Sequence, residues 1–193
     1  MTTVVVPFAG PDGKTRLDAP RHTRRELSLA MLGDVVASAV AVGRTLVVTP
    51  DEEGATLARD IGAEPVADPG GGQGPAVQAA LAGVDGRVLV VNADLPCAVP
   101  ADLRALDRAI PDGGVVLVEA LDGTTNALGL ASPGLFRPEY GPDSASRFLA
   151  LDVETVSVAV PNLAEDVDTM ADLERLQARC GPRTKACLVG ISS

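Results

Sequence analysis

The sequence predicts an α/β fold, a single domain built in layers around a mostly parallel sheet. Three observations carry this reading. Aliphatic segments of strand length alternate with helix-length segments from end to end. Several strands are apolar at almost every position, as strands covered on both faces are. Glycine-rich loops follow the first and third strands, and such sheets gather ligands beyond the carboxyl ends of their strands.

In chain order, the pattern predicts strands over residues 4–8, 45–49, 64–67, 87–91, 114–120, 126–131 and 154–160. Helices are predicted over residues 24–42, 51–61, 75–82, 101–110, 144–151 and 170–178. In the first helix Leu27, Met31 and Val35 form one stripe, with Leu32, Val36 and Val40 beside it, so this helix needs cover on most sides. "TPDEE" predicts Thr49 as the cap of the second helix, with Pro50 at its first position and acids in its first turn. "TMAD", Thr169 to Asp172, reads as a capping box opening the helix at 170. After Gly181 the chain reads as a loop-like tail of the one domain. Its "ACLVGI" suits a late strand or an arm laid on a partner subunit.

Composition narrows function. The chain has 193 residues and a formal net charge of −10, which argues against general binding to nucleic acid or anionic membrane. No apolar run approaches the roughly 20 residues that span a bilayer. The opening "MTTVVVPF" enters a strand without a basic segment or apolar leader, which predicts a cytoplasmic protein. The three cysteines, Cys97, Cys180 and Cys187, show no paired spacing, and His22 is the only histidine, so a structural zinc site is disfavoured. Histidine-dependent nucleophilic catalysis would rest on His22 alone, among arginines in a predicted loop.

Four segments bear chemistry. "AGPDGKTRL", Ala9 to Leu17, leaves the first strand with two glycines, Lys14 and Arg16, although Gly10 and Gly13 stand too close for a Walker A loop. Arg21, Arg24 and Arg25 thicken this positive patch in an acidic protein, as a polyphosphate site requires. "ADPGGGQGPAV" places Gly70, Gly71 and Gly72 before Gln73 and Gly74. Backbone freedom of that kind suits close approach to a flat ligand, and equally a merely mobile loop. "RVLVVNADLP" ends an apolar strand on Asn92 and Asp94, where the acid either caps a helix or holds a metal. Asp166 and Asp168 stand at another strand end, and two such carboxylates meeting over the sheet edge suit Mg²⁺, although Asp168 directly precedes the capping box. Finally, "DGTTNALGLA" crowds Thr124, Thr125 and Asn126 after a turn, and "YGPDSASRF" sets Gly141 and Ser144 before a helix. That helix start suits an anion or a plain cap by Asp143.

Taken in order, "VVPFAGPDGKTRL", "AMLGDV", "GGGQGPAV", "VVNADLPCA", "DGTTNALGLA", "YGPDSASRF" and "DVDTMADL" resemble the 2-phospho-L-lactate and phosphoenolpyruvate guanylyltransferases of coenzyme F420 biosynthesis. The resemblance covers nearly the whole chain and implies the Rossmann-like, GT-A-like three-layer sandwich of nucleotidyltransferases. It implies that Lys14 and its loop hold the GTP triphosphate with support from Arg16, and that Gly13, Gln73, Gly74 and Asn92 contact the nucleotide. Asp94 and Asp166 would hold Mg²⁺, with Asp168 behind them or in place of one. Thr125, Asn126, Gly141 and Ser144 would seat the phosphate and carboxylate of the acceptor.

The implied reaction needs no protein nucleophile. A phosphate oxygen of a three-carbon acid attacks the α-phosphorus of GTP, and pyrophosphate leaves in line. Two rivals remain at this stage. One is a nucleotidyltransferase of the same fold acting on a sugar phosphate or molybdopterin, against which the "DGTTNALGLA" and "YGPDSASRF" segments speak. The other is a nucleotide-binding module without catalysis. A homodimer is the expected assembly. The acceptor stays open among phosphoenolpyruvate, 2-phospho-L-lactate and 3-phospho-D-glycerate.

Overall fold

A computed structural model describes residues 2–10 and 17–191. Strand β1 (Thr2–Pro7) leads to α1 (Arg21–Val40), then β2 (Arg44–Thr49), α2 (Glu52–Ile61), β3 (Glu64–Ala67), α3 (Gln73–Ala80), β4 (Arg87–Val91) and α4 (Pro100–Arg108). Strands β5 (Val115–Glu119) and β6 (Thr125–Leu130) form a hairpin, followed by α5 (Ser144–Leu149), β7 (Thr155–Ser157), α6 (Pro161–Ala164), α7 (Met170–Leu176) and α8 (Pro182–Ile191). Among the described residues the strands form one sheet in the order β3-β2-β1-β4-β6-β5-β7, in which β6 alone runs antiparallel to its neighbours.

The alternation of side chains along the strands builds the layers. Val4, Val6, Val47, Leu89 and Val91 point to one face, where Leu32, Val35 and Val36 of α1 and Leu103 and Leu106 of α4 cover them. Val5, Leu46, Val48, Val88 and Val90 point to the other, covered by Ala76, Val77 and Ala80 of α3 and Phe148 of α5. Near-continuous aliphatic strands are therefore required, because neither face of β1 or β4 meets water.

Several expectations need correction. Helix α1 begins at Arg21, so His22 sits exposed in its first turn and not in a loop. Asp51, not Thr49, caps α2: its carboxylate accepts from the Gly54 N–H at 2.8 Å, while the Thr49 hydroxyl accepts from the Asp51 N–H one step earlier. The seventh strand keeps three residues, and the short α6 takes up the segment after it. The capping box at Thr169 forms as expected, with Asp172 closing it.

The largest correction is the tail, which is neither strand nor arm but helix α8, packed along α1. Its cap comes from another helix. Asp34 of α1, 4% exposed, accepts from the backbone N–H of Arg183 at 3.0 Å and of Thr184 at 2.9 Å. Those are orphan donors of a helix start, and an acid there also meets the positive end of the helix dipole. Gly181 leaves the room: a Cβ at that position would lie 2.4 Å from the Asp34 carboxyl carbon. The Gly181 N–H in turn donates to the Pro96 carbonyl at 2.7 Å, which ties the start of α8 to the loop leaving β4. Helix α8 supplies the cover over α1 that its double stripe requires.

Asp34→Ala leaves two buried donors without an acceptor and is expected to cost about 2 kcal/mol of stability. Amide exchange at Arg183 and Thr184 should quicken in that variant. Exchange there as slow as in the parent protein would remove Asp34 from the capping role.

Candidate active site

The loop leaving β4 carries the first acid. Leu95 and Cys97 are buried in it, and α4 does not begin until Pro100, with Val99 at its cap position, so Asp94 caps no helix. Its backbone carbonyl accepts from the Val167 N–H at 3.0 Å. Val167 is completely buried, whereas Asp166 and Asp168 on either side are only partly covered, as alternation in an extended segment requires. One buried valine therefore turns both neighbouring carboxylates toward Asp94. Carboxylate oxygens of Asp94, Asp166 and Asp168 lie within 4.8 Å of one another. Glu165 is not part of this group, because Arg179 at 2.6 Å and Arg175 hold its carboxylate.

The electrostatics of the cluster show at Asp166. Burial first, and then the Asp94 charge, push its carboxyl above the ordinary aspartate value, while a hydrogen bond from Asn126 pulls the other way. That bond runs from Asn126 Nδ2 to Asp166 Oδ1 at 3.2 Å. Asn126 in turn accepts from Asn92 Nδ2 at 3.4 Å, and Asn92 Oδ1 accepts from Gln73 Nε2 at 2.7 Å. Gln73, Asn92, Asn126 and Asp166 thus form one line of side chains across the ends of β4 and β6.

Gln73 and Asn92 also line a cavity of about 330 Å³ with Phe8, Ser28, Gly72 and Asp94, a volume within the range of small-molecule sites. Its wall is the glycine loop. Gly70, Gly71 and Gly72 have φ of 79°, 89° and 96°, a region that side chains with a Cβ rarely enter. The Asp68 carboxylate fixes the turn by accepting from the Gly70 N–H at 2.7 Å. The loop thus takes a turn that its glycines permit. Gly74 is buried one residue into α3, where a Cβ would lie 2.7 Å from Pro138 Cβ, so its lack of a side chain serves helix packing.

The expected acceptor residues lie beyond the lining of this cavity. Thr125 and Ser144, 2% and 0% exposed, join hydroxyls at 3.1 Å. Gly141 is exposed with φ of 116°, in a loop that Arg147 gathers by donating to the carbonyls of Glu139, Tyr140 and Pro142. Two N–H groups at the start of α5 are already used: Ser144 donates to Gly141 and Ala145 to Gly123. Asp143 occupies the cap position with φ of 56°, and its side chain makes no capping bond, so the plain-cap reading fails. Thr124 belongs to the hairpin turn, its hydroxyl bonded to Asp122 at 2.6 Å.

Lys14, Arg16 and Gly13 lie outside the described residues. Of the arginines expected to enlarge the positive patch, Arg25 is held by Glu53 at 2.9 Å and by Asp51 at 3.4 Å. Arg24 donates to the Ala19 carbonyl at 3.2 Å. Cys97 and Cys180 are buried, and the hydrogen bond between them lowers the Cys97 thiol to about 7 while it and burial push the Cys180 thiol up. Sequence reasoning missed Ser28 and Asp68 as cavity residues and missed the link between Asn92 and Asn126. The one available signal was an amide just beyond one aliphatic strand and another at the start of a second.

Comparison with known proteins agrees with this geometry. Residues 24–177 match the MobA-like NTP transferase domain. A phosphoenolpyruvate guanylyltransferase of Nocardia farcinica is 39% identical over 183 residues, spanning 88% of this chain and 80% of its own length. Another, of Geodermatophilus obscurus, is 36% identical over 202 residues, spanning 97% of this chain and 94% of its own. Among solved structures, a protein of Desulfovibrio desulfuricans G20 classed with the nucleotide-diphospho-sugar transferases superposes with a TM-score of 0.76 at 17% identity, over 98% of this chain and 94% of its own. A nucleotidyl transferase of Methanothermobacter superposes with a TM-score of 0.63 at 16% identity, over 92% of this chain and 96% of its own. At such identities the structures speak for the fold alone. With the domain match and the relatives above 30% identity taken together, the chain belongs to the phosphoenolpyruvate guanylyltransferase family within the MobA-like NTP transferases, and it is a nucleotidyltransferase.

Proposed function

We propose that this nucleotidyltransferase transfers GMP from GTP to phosphoenolpyruvate, with release of pyrophosphate, in the formation of coenzyme F420. The observation that carries the reading is the three-carboxylate cluster, one member of which, Asp94, also lines the cavity between β1, β4 and the glycine loop. The names of the relatives favour phosphoenolpyruvate over 2-phospho-L-lactate as acceptor. The new bond joins an acceptor phosphate oxygen to the α-phosphorus, and the bond that breaks is the one from the α-phosphorus to the oxygen bridging to the β-phosphate. The acceptor phosphate is ionised near neutrality, so no general base is needed. The protein's share is to position both substrates and to meet their charge.

The donor set fits a hard divalent cation. Carboxylate oxygens are the ligands Mg²⁺ prefers, and the Asp166 carboxyl, raised first by burial and then by the Asp94 charge, is one whose ionised form a cation would favour. Asp94, Asp166 and Asp168 would hold Mg²⁺, which supplies neutralisation of the phosphate charge. Gln73 and Asn92 face the nucleotide, and Lys14 with Arg16 and Gly13 would meet its triphosphate, as the family resemblance implies. Binding of the acceptor at Thr125, Gly141 and Ser144 requires the bond between the two hydroxyls to be exchanged for one to the ligand.

The first experiment is pyrophosphate release from GTP and Mg²⁺ with phosphoenolpyruvate, 2-phospho-L-lactate or 3-phospho-D-glycerate, beside ATP and no-acceptor controls. Release with phosphoenolpyruvate and GTP is expected. Folded protein that binds GTP yet releases nothing with any of the three would end this reading. Asp94→Asn should lower turnover by at least about 100-fold, more than loss of a merely supporting contact around a metal. It should do so without loss of fold, and near-parental turnover would take Asp94 out of the cation site.

Asp166 makes a prediction in pH. Its folded carboxyl titrates above the unfolded value, so the folded chain holds the proton to higher pH than the unfolded chain. Its contribution to stability is greatest in acid and falls as pH rises through the folded value. Asp166→Asn removes the titrating group, so the metal-free variant should lose less stability than the parent as pH rises from mild acid, read as a smaller fall in Tm. A fall in Tm as large as the parent's, or larger, would contradict the sign.

A further inference from the structure

The line from Gln73 to Asp166 has a direction. A carboxylate only accepts hydrogen bonds, whereas an amide donates from one end and accepts at the other. Asp166 therefore obliges Asn126, 2% exposed, to turn its NH₂ toward it. The Asn126 oxygen then faces Asn92 and needs a donor, so Asn92 presents its NH₂, which also reaches the Thr125 carbonyl at 3.4 Å. The Asn92 oxygen is left facing Gln73, and Gln73 spends its Nε2 on it at 2.7 Å. Each link follows from the one before. At the far end, the Gln73 oxygen is the atom left to the cavity.

We propose that Asn126, Asn92 and Gln73 are positioning residues that couple the acidic cluster to the nucleotide cavity through a relay of amides with fixed polarity. The proposal rests on the reading that the cluster holds a divalent cation. A cation held by Asp166 would fix the position of the carboxylate oxygen that accepts from Asn126, and through the hydrogen bonds to Asn92 and Gln73 the orientation of all three amides, which presents a hydrogen-bond acceptor to the N–H or O–H groups of a nucleoside. Coupling of this kind is reciprocal: a ligand that bonds the Gln73 oxygen favours the orientation in which Asn126 supports the cation-bound Asp166.

Gln73→Glu tests the relay through its sign. A glutamate at 73 only accepts, so Asn92 must turn its NH₂ outward, Asn126 must turn its NH₂ toward Asn92, and the Asn126 oxygen comes to face Asp166. Partners that orient a metal ligand are worth about 10-fold or more in metal affinity, so Mn²⁺ binding to nucleotide-free protein should weaken by about 10-fold in Gln73→Glu. The added negative charge acting through space would instead tighten Mn²⁺ binding. Gln73→Met, which removes the donor without reversing the line, should stay close to the parent protein. Mn²⁺ affinity in Gln73→Glu equal to or tighter than the parent's would overturn the relay. Side-chain ¹⁵N amide spectra of metal-free protein read it independently: Asp166→Ala should shift the Gln73 side-chain resonances, and unmoved resonances would equally overturn it. Neither readout involves GTP or acceptor, so failure of guanylyl transfer would sink the proposed reaction and leave this coupling to stand or fall alone.

Discussion

Three carboxylates with oxygens gathered within 4.8 Å of one another repel, and the Asp94 charge is, after burial, the next cause that raises the Asp166 carboxyl. Much of what surrounds them acts to hold that arrangement against its own repulsion. Val167 is sunk in the cluster formed by α1, α7 and the β4 loop, and its N–H reaches the Asp94 carbonyl. The capping box of Thr169 and Asp172 starts α7 directly after Asp168, which fixes the segment from below. Arg175 and Arg179 anchor Glu165 on the other side. The acids thus sit on a short segment pinned at both ends and in its middle.

The topology explains why this happens at one place. Parallel strands β1 and β4 end on the same edge of the sheet, which gives the cavity its floor. Strand β6 runs antiparallel beside β4, so its beginning, not its end, lies at that edge. Asn126, second in β6, consequently meets Asn92, first beyond β4, with a backbone bond between them at 3.0 Å. In an all-parallel sheet the residue beside Asn92 would follow its strand. The reversed strand instead brings a turn, a threonine and an amide to the edge where ligands gather.

The sequence made the layers legible because burial on both faces leaves an unmistakable aliphatic signature, and β1 to β6 stand close to where it puts them. The acids were legible as a group because each stands at a strand end, whereas the part of Val167 in turning Asp166 and Asp168 shows only in the fold. Helix α8 was not, since its cap is Asp34, far away in the chain, and a helix capped from elsewhere shows no local start signal beyond Pro182. Thr49 is the cap expected when Pro50 opens the helix, but the backbone turns helical only after Asp51, and Asp51 takes the cap. The polarity of the amide line was also out of reach, because it depends on contacts between residues separated by up to 40 positions.

Repulsion among the acids and the order of the amides belong to one economy of stability. On the proposed function the site would receive a cation and polyphosphate, and groups that satisfy each other in the empty state would compete with those ligands. The excess negative charge near Asp166 keeps the cluster receptive. The Thr125 and Ser144 hydroxyls show the opposite choice, since they satisfy each other and yield only to a better partner, such as a phosphate or carboxylate oxygen. On the same proposed function, a cation would relieve the crowding of the acids, whereas an acceptor oxygen would have to displace the bond between the Thr125 and Ser144 hydroxyls, so the two sides of the edge are held in opposite ways.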